Sequence, residues 1–244
     1  TMWYGTWQEG MRLYDLRNVS TAKLPALAEA TSLVIKPNEW AHSELRVEYI
    51  VSSNARYELD TVTDTKPRFT YDGDMVTVSL EPVDRASRES FAFITPTILR
   101  IYGPALDRLE AQTNVNLSYY SEKPQTSLAI TLQSAGFELR GTYDVITIAQ
   151  REGGTANLGG ATVKDLIIDN QGGLVEAGVV RTLNVTQPDA CPATSGDESN
   201  NMVRVQSIAS GKLFRNNEEQ AVKTIRQDCG TVFIWSSEEF DERY

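Results

Sequence analysis

The sequence contains few cysteines, one histidine and no long apolar run, and each shortage excludes a class of protein. Two thiols cannot form a four-cysteine zinc site, and no Cys-x-x-Cys spacing is present for redox exchange. No apolar segment approaches the roughly 20 residues that a membrane-spanning helix needs. Basic residues are also in the minority, with 23 Lys and Arg against 33 Asp and Glu in 244 residues. The net charge of −10 argues against non-specific binding to nucleic acid or to an anionic membrane.

The two cysteines, Cys191 and Cys229, both lie where a disulfide could hold a loop to a neighbouring strand. Cys191 follows Pro-Asp-Ala in a loop, and Cys229 stands in Asp-Cys-Gly just before an apolar strand. The placement favours a structural disulfide, which would imply an oxidising compartment, over two buried free thiols. Because Thr1 is not a natural initiator, a targeting segment could have preceded it.

The patterning is that of an all-β protein. Residues 45–51 alternate apolar and polar side chains, the period of a half-buried strand. The Asp72-Gly73 pair lies between two alternating runs and predicts a hairpin, because glycine accepts a positive φ. Only residues 22–30 have helical character. Pro25 lies within them, so a turn or an irregular short helix is expected there.

An internal repeat is the strongest feature of the sequence. Gly136, Gly154, Gly173 and Cys191 recur at intervals of 18, 19 and 18 residues, and each is followed five residues later by a glycine. Each pair follows an alternating apolar doublet; the doublets are Leu128/Ile130, Ile146/Ile148, Leu166/Ile168 and Leu183/Val185. The doublets step by 18, 20 and 17 residues, so they drift in register against the glycines. Turns can absorb such a drift, whereas a strand cannot.

This repeat predicts a parallel β-helix in which the doublets stack in columns down one axis. The period is too short for a propeller blade, and the pattern is not that of a leucine-rich repeat. A β-sandwich with recurring hairpin glycines is the alternative, which the shared five-residue offset disfavours. We expect a single domain with N-terminal strands, hairpin and cap at 1–100, regular coils at 101–196, and a last coil and C-terminal cap at 197–244. Caps at both ends are expected because a stack exposes unpaired strand edges.

Several motifs, taken in order, resemble the putative auto-transporter adhesin, head GIN domain family of bacterial envelope proteins. The motifs are Tyr-Asp-Leu-Arg-Asn-Val at 14–19, Ser-Leu-Val-Ile-Lys-Pro-Asn at 32–38, Leu-Arg-Val at 45–47, the hairpin at 71–78, residues 93–101 with Gly103, and the coils from 128 to 185. The resemblance implies a right-handed, single-stranded parallel β-helix and export to the periplasm, outer membrane or cell surface. It commonly implies a lipoprotein anchor too. The family offers no catalytic residues to carry over.

Candidate chemistry is sparse. Asp165 and Asp169 would share a solvent face about 13 Å apart, farther than the roughly 5–9.5 Å that glycosidases use. A lyase site would need carboxylates for calcium beside a Lys or Arg that removes a proton. Lys164 and Arg181 are isolated within the coils, with no tight cluster of aspartates beside them. His42 stands in a polar loop, and no Gly-x-Ser-x-Gly elbow accompanies it. The glycines of residues 153–160 resemble a phosphate loop but lack its Lys-Ser/Thr ending. No metal or organic cofactor is expected.

Ligand binding is the remaining class of function, and exposed aromatic side chains are the best candidates for residues that contact a ligand. Tyr119 and Tyr120 lie in residues 118–125, an insertion expected to protrude from one coil, and Trp40 lies in a polar loop. We therefore expect a non-enzymatic, exported adhesin or binding module for an unidentified glycan or protein. A pectinase-like β-helix enzyme and a self-associating envelope module are the alternatives. Homo-oligomers could form through the flat sides or ends of the stack.

Overall fold

The protein is all-β in this computed structural model, which describes residues 18–37, 44–61, 65–83, 97–186, 202–210, 212–215, 218–220 and 232–234. The one helix in this part of the chain is the 3₁₀ turn Pro25–Glu29, which is too short to cross a membrane. The strands are β1 (Asn18–Lys23), β2 (Ser32–Ile35), β3 (Leu45–Val51), β4 (Arg56–Thr61), β5 (Thr65–Asp72), β6 (Met75–Pro82), β7 (Thr97–Gly103), β8 (Arg108–Ala111), β9 (Val115–Tyr120), β10 (Gln125–Gln133), β11 (Gly136–Arg151), β12 (Thr155–Asn170), β13 (Leu174–Thr186), β14 (Met202–Ile208), β15 (Leu213–Arg215), β16 (Glu218–Gln220) and β17 (Val232–Ile234).

These strands form one curled, mixed sheet with two ladders that face a common core. The first ladder runs β1, β4, β7, β3, β9, β11, β12, β13, β14, β17. The second runs β5, β6, β2, β8, β10, β11, β12, β13, β15, β16. Strands β11, β12 and β13 belong to both ladders because each bends in its middle. Apolar side chains from both ladders form one buried cluster.

The predicted columns of apolar side chains are present in the second ladder. Strand pairing places the first members of the four doublets opposite one another, and the second members likewise. Every one of these eight side chains is at most 1% exposed. Burying a side chain of this size stabilises the fold by about 1.5–3 kcal/mol, and no single turn could bury its own face. The prediction that the doublets stack in columns is therefore confirmed.

The drift in register is absorbed where the long strands bend. Pairing between β11 and β12 shifts between Glu138 and Arg140, and pairing between β12 and β13 shifts between Leu158 and Val163. The first shift lies at the end of the first-ladder segment of β11 and the second lies between the two ladders, so the apolar doublets stay in register. Gly141 occupies the bend of β11 with φ +115°, and a Cβ there would lie 2.6 Å from the Ser121 carbonyl oxygen. Only a glycine fits that close approach.

The N-terminal region departs from a regular winding in two ways. The turn made by β6 and β7 stacks on the outer side of the turn made by β2 and β3, and the chain then returns to place β8 and β9 on the inner side. Antiparallel strands cover one end of both ladders, with β4 and β1 on the first and β5 on the second, and β16 covers the other end of the second ladder. These strands satisfy backbone groups that a purely parallel stack would expose.

Two local predictions are confirmed. Residues 65–82 form the β5–β6 hairpin, and Gly73 adopts φ +61° at its tip. The segment with Pro25 forms a single 3₁₀ turn, in which the proline lies at the start, where it lacks no hydrogen bond. Leu27 of this turn is fully buried, so the turn closes the core beside β2.

Candidate functional site

Two of the three aromatic residues predicted to bind lie in the part of the chain that the structure describes, and one of these two is exposed. Trp40 lies outside the described residues, so its role stays a prediction. Tyr119 is fully buried, and Tyr120 is 42% exposed. The expectation that both tyrosines protrude on an insertion is wrong. Residues 118–125 form the end of β9, a short turn and the start of β10. The alternation of Val115, Leu117 and Tyr119 in the sequence is the signal that places Tyr119 inside.

Tyr119 is the middle member of a buried tyrosine column. Its ring stacks on Tyr49 with centroids 5.3 Å apart and tilts against Tyr143 at 6.4 Å. Its hydroxyl accepts the Leu106 N–H at 3.1 Å and donates to Gln125 Oε1 at 2.8 Å. Burial raises the pKa of Tyr119 to about 12, and burial also raises the pKa of Tyr49 and Tyr143. Burial disfavours the charged phenolate, so the column is a neutral structural element.

The outer face of the first ladder carries a straight row of polar side chains, which we call the charged row. Its members pair from strand to strand across the face, and they are Glu58, Arg100, Glu48, Ser118, Glu138, Asn157, Glu176 and Arg204. Ion pairs join Arg100 to Glu48 at 2.8 Å and Arg204 to Glu176 at 3.3 Å. Where two glutamates would be neighbours, a neutral Ser or Asn separates them, which avoids repulsion between like charges.

A depression of about 230 Å³ interrupts this row at β3, β9 and β11. It is lined by Arg46, Val47, Glu48, Asn116, Ser118 and Glu138. The short Ser118 side chain leaves a gap between Glu48 and Glu138, whose strands are about 9.5 Å apart at two strand spacings. The Asn116 side chain lies close over Gly136, where a Cβ would be 3.2 Å from Asn116 Oδ1.

Both carboxylates at the depression are oriented by arginines. Arg100 Nε donates to Glu48 Oε2 at 2.8 Å, and Arg140 donates twice to Glu138 Oε1, at 2.9 and 2.8 Å. The remaining oxygen of each carboxylate has no hydrogen-bond partner among the described residues. The depression is therefore rich in hydrogen-bond acceptors that are fixed in place and open to a ligand.

Tyr120 lies on the same face, two residues beyond Ser118 on β9. Its strand neighbours are Ile50 and Arg140. Arg140 directs its guanidinium along its own strand to Glu138 rather than over the Tyr120 ring. Tyr102, one strand beyond Ile50, differs in this respect, because Arg56 lies 3.7 Å from its ring centroid. The exposed Tyr120 ring and the depression together form the candidate site.

The aspartates considered for catalysis lie on the outer side of the second ladder and are held in ion pairs. Arg151 Nη2 donates to Asp169 Oδ2 at 2.6 Å, and Arg181 pairs with Asp165, which also accepts from the Thr182 hydroxyl. Hydrogen bonds from Arg181 and then from Thr182 hold the pKa of Asp165 below its usual value. The expectation that Lys164 and Arg181 are isolated is wrong, because Lys164 pairs with Asp144 at 2.6 Å. Paired surface charges of this kind favour a structural role.

Several other candidates yield no site. Cys191, Cys229 and His42 lie outside the described residues, so the disulfide stays a prediction. Within the described ranges no group of three His, Cys, Asp or Glu side chains is placed to hold a metal ion. Residues 153–160 form a turn and the first half of β12. A second depression, of about 280 Å³, is lined by small residues that include Ala28, Ser52 and Pro104. It offers no charged side chain among its lining residues.

Sequence reasoning missed two buried amides at the turns between coils. Gln150 and Asn170 pair across β11 and β12 and are fully buried. Gln150 Nε2 donates to the Gly154 carbonyl at 2.7 Å, and Asn170 Nδ2 donates to the Gly173 carbonyl at 2.9 Å. Each amide thus satisfies a carbonyl of the turn that follows it, which is the role of buried polar groups. Their identical offset from the apolar doublets was the available signal.

Comparison with solved structures finds a similar fold. The chain is similar to a putative adhesin from Bacteroides fragilis, with a TM-score of 0.55 and 9% identity over 90% of this chain and 96% of that chain. Putative adhesins from Parabacteroides merdae and Parabacteroides distasonis give TM-scores of 0.40 and 0.38, with 11% and 10% identity. They cover 82% and 91% of this chain, and 95% and 94% of their own. No model of a protein family and no curated protein matches the chain. At such identities the likeness concerns the fold alone.

Proposed function

We propose that this protein is an exported, non-enzymatic adhesin of the cell envelope that binds a glycan or protein partner through the outer face of its first ladder. The observation that carries the proposal is the candidate site, which combines an exposed tyrosine with an acceptor-rich depression on a rigid surface. The name of the Bacteroides fragilis protein supports this direction. In the described residues the face offers aligned, ion-paired side chains rather than a cleft, which favours binding over catalysis.

We extend the same proposal to the architecture of the chain. The chain forms a single domain, a right-handed parallel β-helix of the head GIN domain type with caps at both ends. In support, parallel pairs join β2, β3 and each strand from β6 to β14, with the apolar doublets in register. A Cys191–Cys229 disulfide and a lipid anchor on a preceding segment would suit an envelope protein. Location is tested by protease treatment of intact cells, which should degrade a surface-exposed protein and spare a cytosolic one.

Binding is tested by applying the purified full chain to an array of glycans and of host surface proteins. We expect saturable binding to at least one class, and that binding should persist in a chain with Asp165→Asn, since Asp165 lies on the second ladder. Mass spectrometry of the bound glycans should show them intact. Cleaved products would instead support the pectinase-like alternative. A chain that binds nothing and forms concentration-dependent oligomers in light scattering would support the self-associating alternative.

A further inference from the structure

The candidate site offers hydrogen-bonding groups that suit a ligand with adjacent hydroxyls. Glu48 and Glu138 each keep one carboxylate oxygen without a partner among the described residues, and both side chains line the gap together with Ser118 and Asn116. A carboxylate oxygen accepts hydrogen bonds, while an amide and a hydroxyl both donate and accept. Neighbouring hydroxyls on a sugar ring likewise donate and accept. The volume of about 230 Å³ is smaller than the roughly 300–1,000 Å³ of a drug-sized pocket, and it suits the hydroxyl-bearing edge of a single sugar ring.

The charges around the depression are balanced, and this balance bears on the charge of the ligand. Arg100 neutralises Glu48, Arg140 neutralises Glu138, and Arg46 faces Glu44 at 4.0 Å. No surplus charge is left in this set of ion pairs to complement a charged ligand. The chain as a whole carries a net charge of −10, which repels polyanions at long range. A neutral ligand therefore fits the electrostatics better than a uronate or a sulfated sugar.

Tyr120 supplies the apolar contact that a sugar ring also needs. A pyranose has one face formed largely by C–H groups, and such a face packs flat on an aromatic ring. Successive outward side chains on a strand are about 7 Å apart, so a ring stacked on Tyr120 can extend its hydroxyls to Ser118 and the two glutamates. Tyr102 cannot substitute for it, because its ring is occupied by Arg56.

From this geometry we infer that the depression at Glu48, Ser118 and Glu138, together with the Tyr120 ring, is a subsite for a neutral pyranose. This inference rests on the proposed function and narrows it to one class of ligand. The ring stacks on Tyr120, and hydroxyls at two separate positions of the ring donate to the free carboxylate oxygens of Glu48 and Glu138. The residue next along the glycan lies over the neighbouring strands of the same face.

The test is isothermal titration of the full chain with neutral trisaccharides of glucose, mannose, galactose and xylose, and with trigalacturonate. We expect at least one neutral trisaccharide to bind, and Tyr120→Ala to weaken it about tenfold, since about 1.4 kcal/mol is lost with the stacking contact. Ser118→Trp should abolish binding by filling the gap, whereas Tyr120→Phe should retain it. The matched control is Tyr71→Ala, because Tyr71 is 39% exposed at the β5–β6 hairpin and far from the site in the strand order.

Further measurements separate the inference from the proposed function. Affinity for the neutral sugar should change by less than about twofold between low and high salt, because no net charge is neutralised on binding. Urea midpoints of the variants, matched to the unaltered chain, establish that they fold. Tighter binding of trigalacturonate, unchanged binding by the Tyr120→Ala and Ser118→Trp chains, or no binding of any neutral trisaccharide would each overturn the inference. Binding to a protein on the array would then leave the proposed adhesin function standing without it.

Discussion

Replacing Tyr119 by phenylalanine is the sharpest test of how the core is built, because Tyr120 next to it is a natural control. The change keeps the ring stacked on Tyr49 and removes only the hydroxyl. That hydroxyl accepts the buried Leu106 N–H and donates to Gln125 Oε1. A buried donor left without a partner costs about 1–3 kcal/mol. Loss of the bond to the partly buried Gln125 adds about 0.5–1 kcal/mol.

We therefore expect Tyr119→Phe to lower the free energy of unfolding by about 2–4 kcal/mol, measured from urea denaturation followed by circular dichroism. For a chain of this size each kcal/mol corresponds to about 2–4 °C in the melting temperature. Tyr120→Phe should change stability by less than about 0.5 kcal/mol, because its side chain is exposed. Equal stability of the two variants would refute the assignment of Tyr119 to a hydrogen-bonded core.

Three further predictions follow from the turns, the tyrosine column and the cysteines. Gly154→Ala should cost at least about 3 kcal/mol, because its Cβ would lie 2.4 Å from the Ala135 carbonyl oxygen. Gly153→Ala should lower the free energy of unfolding by only about 1–2 kcal/mol. Gly153 has the same φ of +93° as Gly154, but nothing lies within 4 Å of a Cβ built at Gly153. Equal urea midpoints for the two variants would contradict this contrast. The buried tyrosines ionise at about pH 10 when unfolded and resist ionisation when folded, so stability should fall above pH 10 by up to about 4 kcal/mol per pH unit. Urea midpoints at pH 8, 9.5 and 11 test this, and a flat profile would count against the column. If Cys191 and Cys229 form a disulfide, mass spectrometry without reductant should find the chain lighter by two hydrogen atoms. A disulfide that closes a loop of this length stabilises the fold by about 4 kcal/mol. Two free thiols after oxidative folding would exclude the bond.

The middle of the chain could be predicted from the sequence because its signals are local and repeated. Alternation fixes which side chains of residues 128–185 point inward, and the glycines mark where the chain turns. Stacking then follows, since each coil has only the next coil to cover it. The bends also follow the prediction, because a shift in register between Leu158 and Val163 leaves both halves of β12 in place.

The N-terminal region could not be predicted in the same way. Strand β2 has the apolar pattern to pair with any parallel neighbour, so nothing local indicates that β6 and β8 lie on its two sides. Partner choice there depends on chain connections and on the fit of whole turns. The candidate site escaped prediction for a related reason. Glu48, Ser118 and Glu138 are far apart in sequence and meet only because β3, β9 and β11 are neighbours.

The displaced turn formed by β6 and β7 divides the molecule into two parts with different evolutionary freedom. From β10 to β14 each strand pairs with the next strand in the chain, so a duplicated segment of about one period could be added to the stack. Before β9 the order of coils does not follow the order of synthesis, so inserting a coil would separate strands that must pair across it. We expect natural variants to differ in length beyond β9, while the N-terminal block and its contribution to the proposed binding face keep a fixed size.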